Sequence, residues 1–243
     1  MVAVPQVVVN EMNIRMINAN TYRFESIISE EIMPNYSVEK KYTRFVEIYF
    51  LKKYKELYRY QILCTKFDFS DQDTATGFFI KKISYLFDEI DLYADNENNI
   101  VKLNNLHSIK LRWKELQVKL WETNKGIEVE NYFRQISNLF EDEGKVIKFL
   151  TGYNMFGLYF NGQTGQYSED GKKTRKISEE KMEYLHKKNS SEEKITIKMR
   201  TSEDIDENLT EGISIYEKGV LKENFVKITE NNCQIKYSLL WVG

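Results

Sequence analysis

The clearest structural signal lies in Tyr58-Arg59-Tyr60-Gln61-Ile62-Leu63-Cys64, where aromatic or apolar side chains occupy every second position. A period of two is typical of a β-strand with one buried and one hydrated face. The same alternation recurs in neighbouring windows at Tyr22 and Phe24, Tyr36 and Val38, and Phe67 and Phe69. Residues 22–69 are therefore predicted to form two or three antiparallel strands, with breaks near 33–35 and 52–56.

The C-terminal part of the chain returns to the same pattern. Alternation is seen in Ile195, Ile197 and Met199, in Ile213 and Ile215, and in Ile235, Tyr237, Leu239 and Trp241. The stretch 225–228 is apolar but does not alternate cleanly. Polar turn residues at 217–219 and 230–232 predict two hairpin loops between these strands.

The middle of the chain has a helical period instead. One stripe contains Leu106, Ile109, Trp113, Leu116 and Leu120, and a second contains Val129, Phe133, Ile136, Phe140, Ile147 and Leu150. Thr123-Asn124-Lys125-Gly126 separates them and is a typical helix stop. We therefore predict an antiparallel helix hairpin that covers one face of the sheet. Residues 78–87 fit either a helix or a strand, and the Asn/Asp cluster at 95–99 predicts a hairpin loop.

Strands, a helix pair and further strands in this order predict an α+β fold with an antiparallel sheet, in one domain spanning 1–243. The polar stretch 168–191, with Met182 and Leu185 as its main apolar anchors, is expected to be a projecting hairpin or a mobile insertion. Its basic run, Lys172-Lys173-Thr174-Arg175-Lys176, is interpreted as a solvated loop, with a phosphate-binding patch as the alternative.

The charge balance argues against partners that are recognised by net charge. The chain has 35 Lys and Arg against 37 Asp and Glu, which leaves no overall field to attract nucleic acid or an anionic membrane. The apolar start of the chain lacks the basic residues of a secretory signal, and no stretch approaches the length of a membrane span. We expect a cytoplasmic protein.

The sequence contains few groups suited to catalysis. Its two histidines, His107 and His186, have no convincing nucleophile nearby in sequence and are expected at the surface. Cys64 and Cys233 lie far apart, and no nucleophile elbow, metalloprotease motif or paired-cysteine motif occurs. We therefore expect a protein that is not an enzyme, with no cofactor and no metal site.

The aromatic content favours protein binding. The chain holds 16 Tyr and 14 Phe, and these side chains are favoured at protein interfaces. Residues 152–167 combine aromatics with glycines but match neither a phosphate loop nor a dinucleotide fingerprint. We interpret this aromatic–glycine segment as a structural or partner-binding loop, with candidate partner-binding residues Tyr153, Phe156, Tyr159, Phe160 and Tyr167.

An alternative function is the binding of a small apolar ligand or a lipid. A long curved antiparallel sheet wrapped around the helix hairpin could enclose an apolar cavity lined by aromatic side chains. The strand-rich halves of the chain are long enough for this arrangement.

The sequence also resembles a group of known proteins. The helix around Leu111-Arg112-Trp113-Lys114-Glu115-Leu116, which follows the hairpin exit at 99–105, and the segment 158–167 carry the resemblance. Over residues 85–167 the arrangement is similar to uncharacterised bacterial proteins associated with contractile injection (type VI-like) secretion clusters. The resemblance implies an accessory role, as an effector chaperone, an immunity protein or a structural adaptor.

Overall fold

A computed structural model describes residues 19–33, 36–176, 182–189, 191, 193–201, 209–230 and 233–243. Eleven strands are present in these ranges: β1 (Ala19–Met33), β2 (Tyr36–Tyr54), β3 (Leu57–Phe69), β4 (Glu89–Ala94), β5 (Ile100–Leu103), β6 (Lys172–Lys176), β7 (Met182–Asn189), β8 (Lys194–Thr201), β9 (Leu209–Glu217), β10 (Val220–Glu230) and β11 (Cys233–Trp241). The predicted turns at 34–35 and 231–232 lie outside the described residues.

The strands form a single antiparallel sheet in the order β5-β4-β3-β2-β1-β11-β10-β9-β8-β7-β6. The first and last described strands pair at its centre, from Tyr22 opposite Trp241 to Glu30 opposite Cys233. This pairing joins the N- and C-terminal strand groups into one continuous sheet. An α+β class with an antiparallel sheet is confirmed.

The predicted period of two gives the sheet two distinct faces. Tyr22 and Phe24 are buried on one face, together with Ile62, and the intervening Arg23 and Glu25 lie on the other because successive side chains of a strand point in opposite directions. We name the face with the buried core side chains the inner face and the opposite one the outer face. One core cluster joins the inner face to the helices.

The middle of the described chain contains four helices, α1 before β4 and the others between β5 and β6: α1 (Ala75–Ser84), α2 (Leu106–Thr123), α3 (Ile127–Leu139) and α4 (Glu143–Leu150). The first resolves the ambiguous stretch 78–87, which is helical to Ser84 and continues as a 3-10 turn over Tyr85–Phe87. The stripe predicted for α2 is confirmed, since Ile109, Trp113 and Leu120 are buried.

The predicted hairpin of two helices is corrected, because the second apolar stripe belongs to two separate helices. Helix α3 ends at Leu139, and α4 starts again after Asp142, whose carboxylate accepts a hydrogen bond from the Gly144 amide at 3.1 Å. An N-cap of this kind begins a new helix and fixes its direction. The apolar residues keep a helical period across the break between α3 and α4, so the sequence pattern did not reveal two separate helices.

The polar stretch 168–191 contains a hairpin, one of its two predicted alternatives, but this hairpin is part of the sheet and does not project from the fold. Strands β6 and β7 pair with each other, and β7 pairs with β8, so the stretch forms one edge of the sheet. Glu183 and Leu185 are buried on the inner face. The basic run 172–176 is therefore an edge strand and not a solvated loop. Residues 177–181 and 190 lie outside the described part.

In the described ranges, no helix has both the length and the apolar character that crossing a membrane requires.

Candidate functional site

The aromatic–glycine segment lies on the inner face as a series of tight turns after α4. Its path needs glycine at position 157, where an added Cβ would lie 2.0 Å from the carbonyl oxygen of Thr151. The Phe156 amide donates to the Leu150 carbonyl at 2.9 Å, and the Gly157 amide donates to that of Gly152 at 3.1 Å. The segment therefore packs against the end of α4 with little space for any side chain at 157.

Two of the five candidate partner-binding residues are core residues. Phe156 and Phe160 are 0% and 1% exposed. The Phe156 ring packs edge-on against Phe24 at 6.0 Å between centroids, and Phe160 packs on Tyr60 at 5.4 Å. Rings buried to this extent offer no free surface to a partner, so the surface role expected for these two is corrected to a packing role.

Tyr153 joins a buried charged cluster. Its hydroxyl donates to Glu183 Oε1 at 2.9 Å, and Arg175 Nε donates to the other carboxylate oxygen at 3.1 Å. Glu183 is only 2% exposed. Burial raises the pKa of Tyr153 above its usual range. The cluster connects the edge hairpin β6–β7 to the aromatic–glycine segment. Its members form hydrogen bonds with one another, which is typical of a structural ion pair.

Tyr167 is half-buried at the end of the segment. Its hydroxyl donates to the Gln163 carbonyl at 2.5 Å, and Lys173 and Lys187 place their ammonium groups 5.9 and 5.5 Å from its ring centre. Burial raises the pKa of Tyr167 to about 12. These contacts occupy the ring and indicate a structural role for it in the folded chain.

Tyr159, the fifth candidate, lines a cavity of about 290 Å³ at the end of the sheet where β3 and β10 begin. Four tyrosine rings come together there from β1, β3, β9 and the segment: Tyr22, Tyr60, Tyr216 and Tyr159. Tyr22 meets Tyr159 edge-on at 5.2 Å between ring centres. We name this space the tyrosine cavity. Its other lining residues include Tyr58 and Asp95, and the exposed Asn96 and Gly219 lie at its mouth.

The hydroxyls of the four central tyrosines of this cavity are protonated at neutral pH. Burial is the main cause that raises the pKa of Tyr22, Tyr60, Tyr159 and Tyr216. The Tyr22 hydroxyl lies close enough to that of Tyr159 for each to affect the other's pKa. It nevertheless forms no hydrogen bond of normal geometry within the described residues, although Tyr22 is fully buried. A buried hydroxyl without a partner is uncommon and costs stability.

We expect Tyr22→Phe to leave the free energy of unfolding unchanged or to raise it by about 1 kcal/mol, because it removes an unpaired buried hydroxyl. Tyr153→Phe is the matched comparison, because it removes a hydroxyl that donates to Glu183. That variant should lose about 1.5–3 kcal/mol, the usual value for a hydrogen bond to a charged group. Urea denaturation measures both, and a loss of more than about 1 kcal/mol for Tyr22→Phe would show that its hydroxyl is paired.

A second concave feature lies on the outer face of β6–β10. This groove has a volume of about 1020 Å³, and its lining residues come from β6 to β10 together with Ser168. The side chains of Tyr184 and Phe225 line this groove, and they are 50% and 38% exposed. Ile213 pairs with Phe225 across the strands. We name this feature the outer-face groove.

The charged side chains of the outer-face groove are mostly basic. Lys172, Lys198 and Arg200 line it, and Glu211 is the acidic residue among the described lining residues. His186 also lines it and is exposed. Neither Tyr184 nor Phe225 was singled out as a site residue from the sequence. The sequence signal that could have identified them is a large aromatic residue at an outward-facing position of a strand. The period of two shows which positions face outward once the two faces of the sheet are assigned.

The described residues show no grouping of three or more histidine, cysteine or acidic side chains that could hold a metal ion. His107 is exposed, as predicted. The two sites differ in what they can do chemically. The outer-face groove offers open apolar and basic surface, and the tyrosine cavity offers neutral phenols and aromatic faces.

Comparisons with known proteins give little similarity. Neither a known protein family nor a curated protein sequence matches this chain. Among solved structures, the chain is similar to one described as lipid–protein interactions in lipovitellin, with 10% identity and a TM-score of 0.46. The match covers 93% of this chain and 25% of that chain, so the chain spans about a quarter of the length of lipovitellin there.

Proposed function

We propose that this protein binds another protein and that the outer-face groove is the contact surface. The observation that carries the proposal is the exposure of Tyr184 and Phe225 in an apolar groove on the sheet face opposite the core. Large exposed apolar patches with polar rims are typical of interaction sites. Aromatic anchors surrounded by other contacts supply most of the binding energy in many interfaces.

The charge of the groove defines the chemistry of the partner. Lys172, Lys198 and Arg200 face the same surface as the two aromatics. A partner that places apolar side chains on Tyr184 and Phe225 and acidic side chains near the rim complements this surface. The charged contacts raise the association rate and orient the partner, and the aromatics that become buried lower the dissociation rate of the complex.

We expect the double variant Tyr184→Ala with Phe225→Ala to weaken partner binding at least about tenfold while the protein stays folded, because both side chains lie outside the core on the outer face. The matched control is Phe78→Ala, which removes an aromatic that is 58% exposed on α1. The measurement is purification from the native host with a tag on this chain, followed by titration of the recovered partner against each variant.

The result that would overturn the proposal is a partner retained equally by the wild type, the double variant and Phe78→Ala. Recovery of no stoichiometric protein, with neighbouring genes expressed, would also contradict it. Native mass spectrometry of the same preparation tests the alternative of a small apolar ligand. A groove of about 1020 Å³ falls at the upper end of the size of small-molecule sites, and a bound small molecule would favour that alternative.

The class of accessory protein belongs to the same proposal. An effector chaperone, an immunity protein and a structural adaptor of a contractile secretion system are the roles that the resemblance over 85–167 supports, each in the cytoplasm. The neighbouring genes discriminate between them. A toxin gene next to this one would favour immunity, and spike or sheath genes would favour a chaperone or an adaptor.

A further inference from the structure

The tyrosine cavity is separate from the outer-face groove and is lined by different residues. Its side chains include five tyrosines and one carboxylate, that of Asp95, and the described lining residues contain no lysine or arginine. Aromatic faces carry negative electrostatic potential, and a nearby carboxylate adds to it. The cavity is therefore chemically suited to a positive charge that is large and weakly hydrated.

The geometry points to a small organic cation as its ligand, and we propose that the tyrosine cavity binds a methylated ammonium group. Tyr22 meets Tyr159 edge-on at 5.2 Å and Tyr60 meets Tyr159 edge-on at 6.4 Å, so the tyrosine rings that line the cavity differ in orientation. Aromatic cages recognise quaternary and methylated ammonium groups.

The mouth of the cavity is held in shape by the loop that contains Asp95. Its Oδ1 accepts hydrogen bonds from the amides of Glu97 at 2.9 Å and Asn99 at 2.8 Å. The Asn98 side chain donates to the Tyr159 carbonyl at 2.7 Å and connects the loop to the segment. The carboxylate is thus fixed by the backbone, so that its negative charge stays at the cavity without rearrangement.

Two lysines near the cavity already have partners. Lys173 donates to the carbonyl of Thr164, a lining residue, and pairs with Glu97 at 3.0 Å. The ammonium of Lys53 lies 5.0 Å from the ring centre of Tyr58 at the rim. This contact involves Tyr58, and it leaves the rings of Tyr60, Tyr159 and Tyr216 for the ligand.

The test titrates the full-length chain with choline and with 3,3-dimethylbutan-1-ol, which has the same shape without the charge. Isothermal titration calorimetry should show saturable choline binding and at least about tenfold weaker binding of the neutral alcohol, the difference expected from cation–π contacts in a partly desolvated site. No saturable choline binding up to about 10 mM, or equal binding of the two, would overturn the proposal.

One variant and its matched control test the role of the Asp95 carboxylate. Asp95→Asn keeps the oxygen that accepts the loop amides but removes the charge, and it should weaken choline about fivefold without affecting the neutral alcohol. Asp170→Asn, in an exposed loop, is the matched control and should change neither. Equal choline affinity in the wild type and in Asp95→Asn would contradict this assignment.

Discussion

Replacement of Trp113 by alanine is expected to lower the free energy of unfolding by about 3–5 kcal/mol. The side chain is 3% exposed at the centre of the α2 stripe. Its ring packs edge-on against Phe133 at 5.5 Å, and its Nε1 donates to Ser137 Oγ at 3.0 Å. The substitution therefore creates a cavity between α2 and α3 and leaves a hydroxyl without its donor. Since domains are stable by about 5–15 kcal/mol, soluble yield should fall as well.

The control for this prediction is Lys114→Ala, one residue along the same helix. Lys114 is exposed and lies off the apolar stripe, so the change should be below about 0.5 kcal/mol. Thermal and urea denaturation measure both variants. An unchanged stability for Trp113→Ala combined with loss of a binding partner would mean that the helix is a recognition surface and that the core assignment is wrong.

The second large effect is expected from Glu183→Ala. The carboxylate is buried and accepts hydrogen bonds from Tyr153 and Arg175. Its removal leaves the Arg175 guanidinium, which is 18% exposed, without its counter-charge. Breaking a buried ion pair from one side typically costs about 3–5 kcal/mol. The loss should be greatest in the edge hairpin β6–β7, and amide hydrogen exchange there would reveal it.

A matched control and a rescue variant test the cause of this loss. Glu193→Ala removes an exposed partner of Lys218 at 3.5 Å and should cost less than about 1 kcal/mol. Glu183→Leu combined with Arg175→Met replaces both charges by apolar groups and should recover most of the lost stability. A double variant as unstable as Glu183→Ala would show that the cost comes from packing and not from the uncompensated charge.

Local patterns in the sequence were sufficient for much of the fold. The alternation at 58–64 predicted β3, the stripe 106–120 predicted α2, and the Asn/Asp cluster at 95–99 predicted the turn between β4 and β5. Each of these features depends on neighbours within one or two turns of chain or a few strand residues. The periods of 2.0 and 3.6 are consequences of backbone geometry, so they are visible without knowledge of distant contacts.

Contacts between distant residues were decided by the tertiary structure alone. The pairing of β1 with β11 joins segments from opposite parts of the chain, and an antiparallel edge offers the same backbone donors and acceptors to every strand. The polar composition of 168–191 gave no sign of β7. Among the described residues of this stretch only Glu183 and Leu185 are buried, and the Glu183 carboxylate is buried against its ion-pair partner Arg175. A buried carboxylate cannot be recognised until its partner is known.

The same physical reason explains why neither candidate site could be predicted from the sequence. The tyrosine cavity gathers Tyr22, Tyr60, Tyr159 and Tyr216 from four parts of the chain. The aromatic–glycine segment has no period, so the burial of Phe156 and Phe160 followed only from its path over the inner face. The sequence by itself determined which residues alternate between the two faces of each strand. The order and register of the strands decided which of those residues meet, because both arise from pairing along the whole sheet.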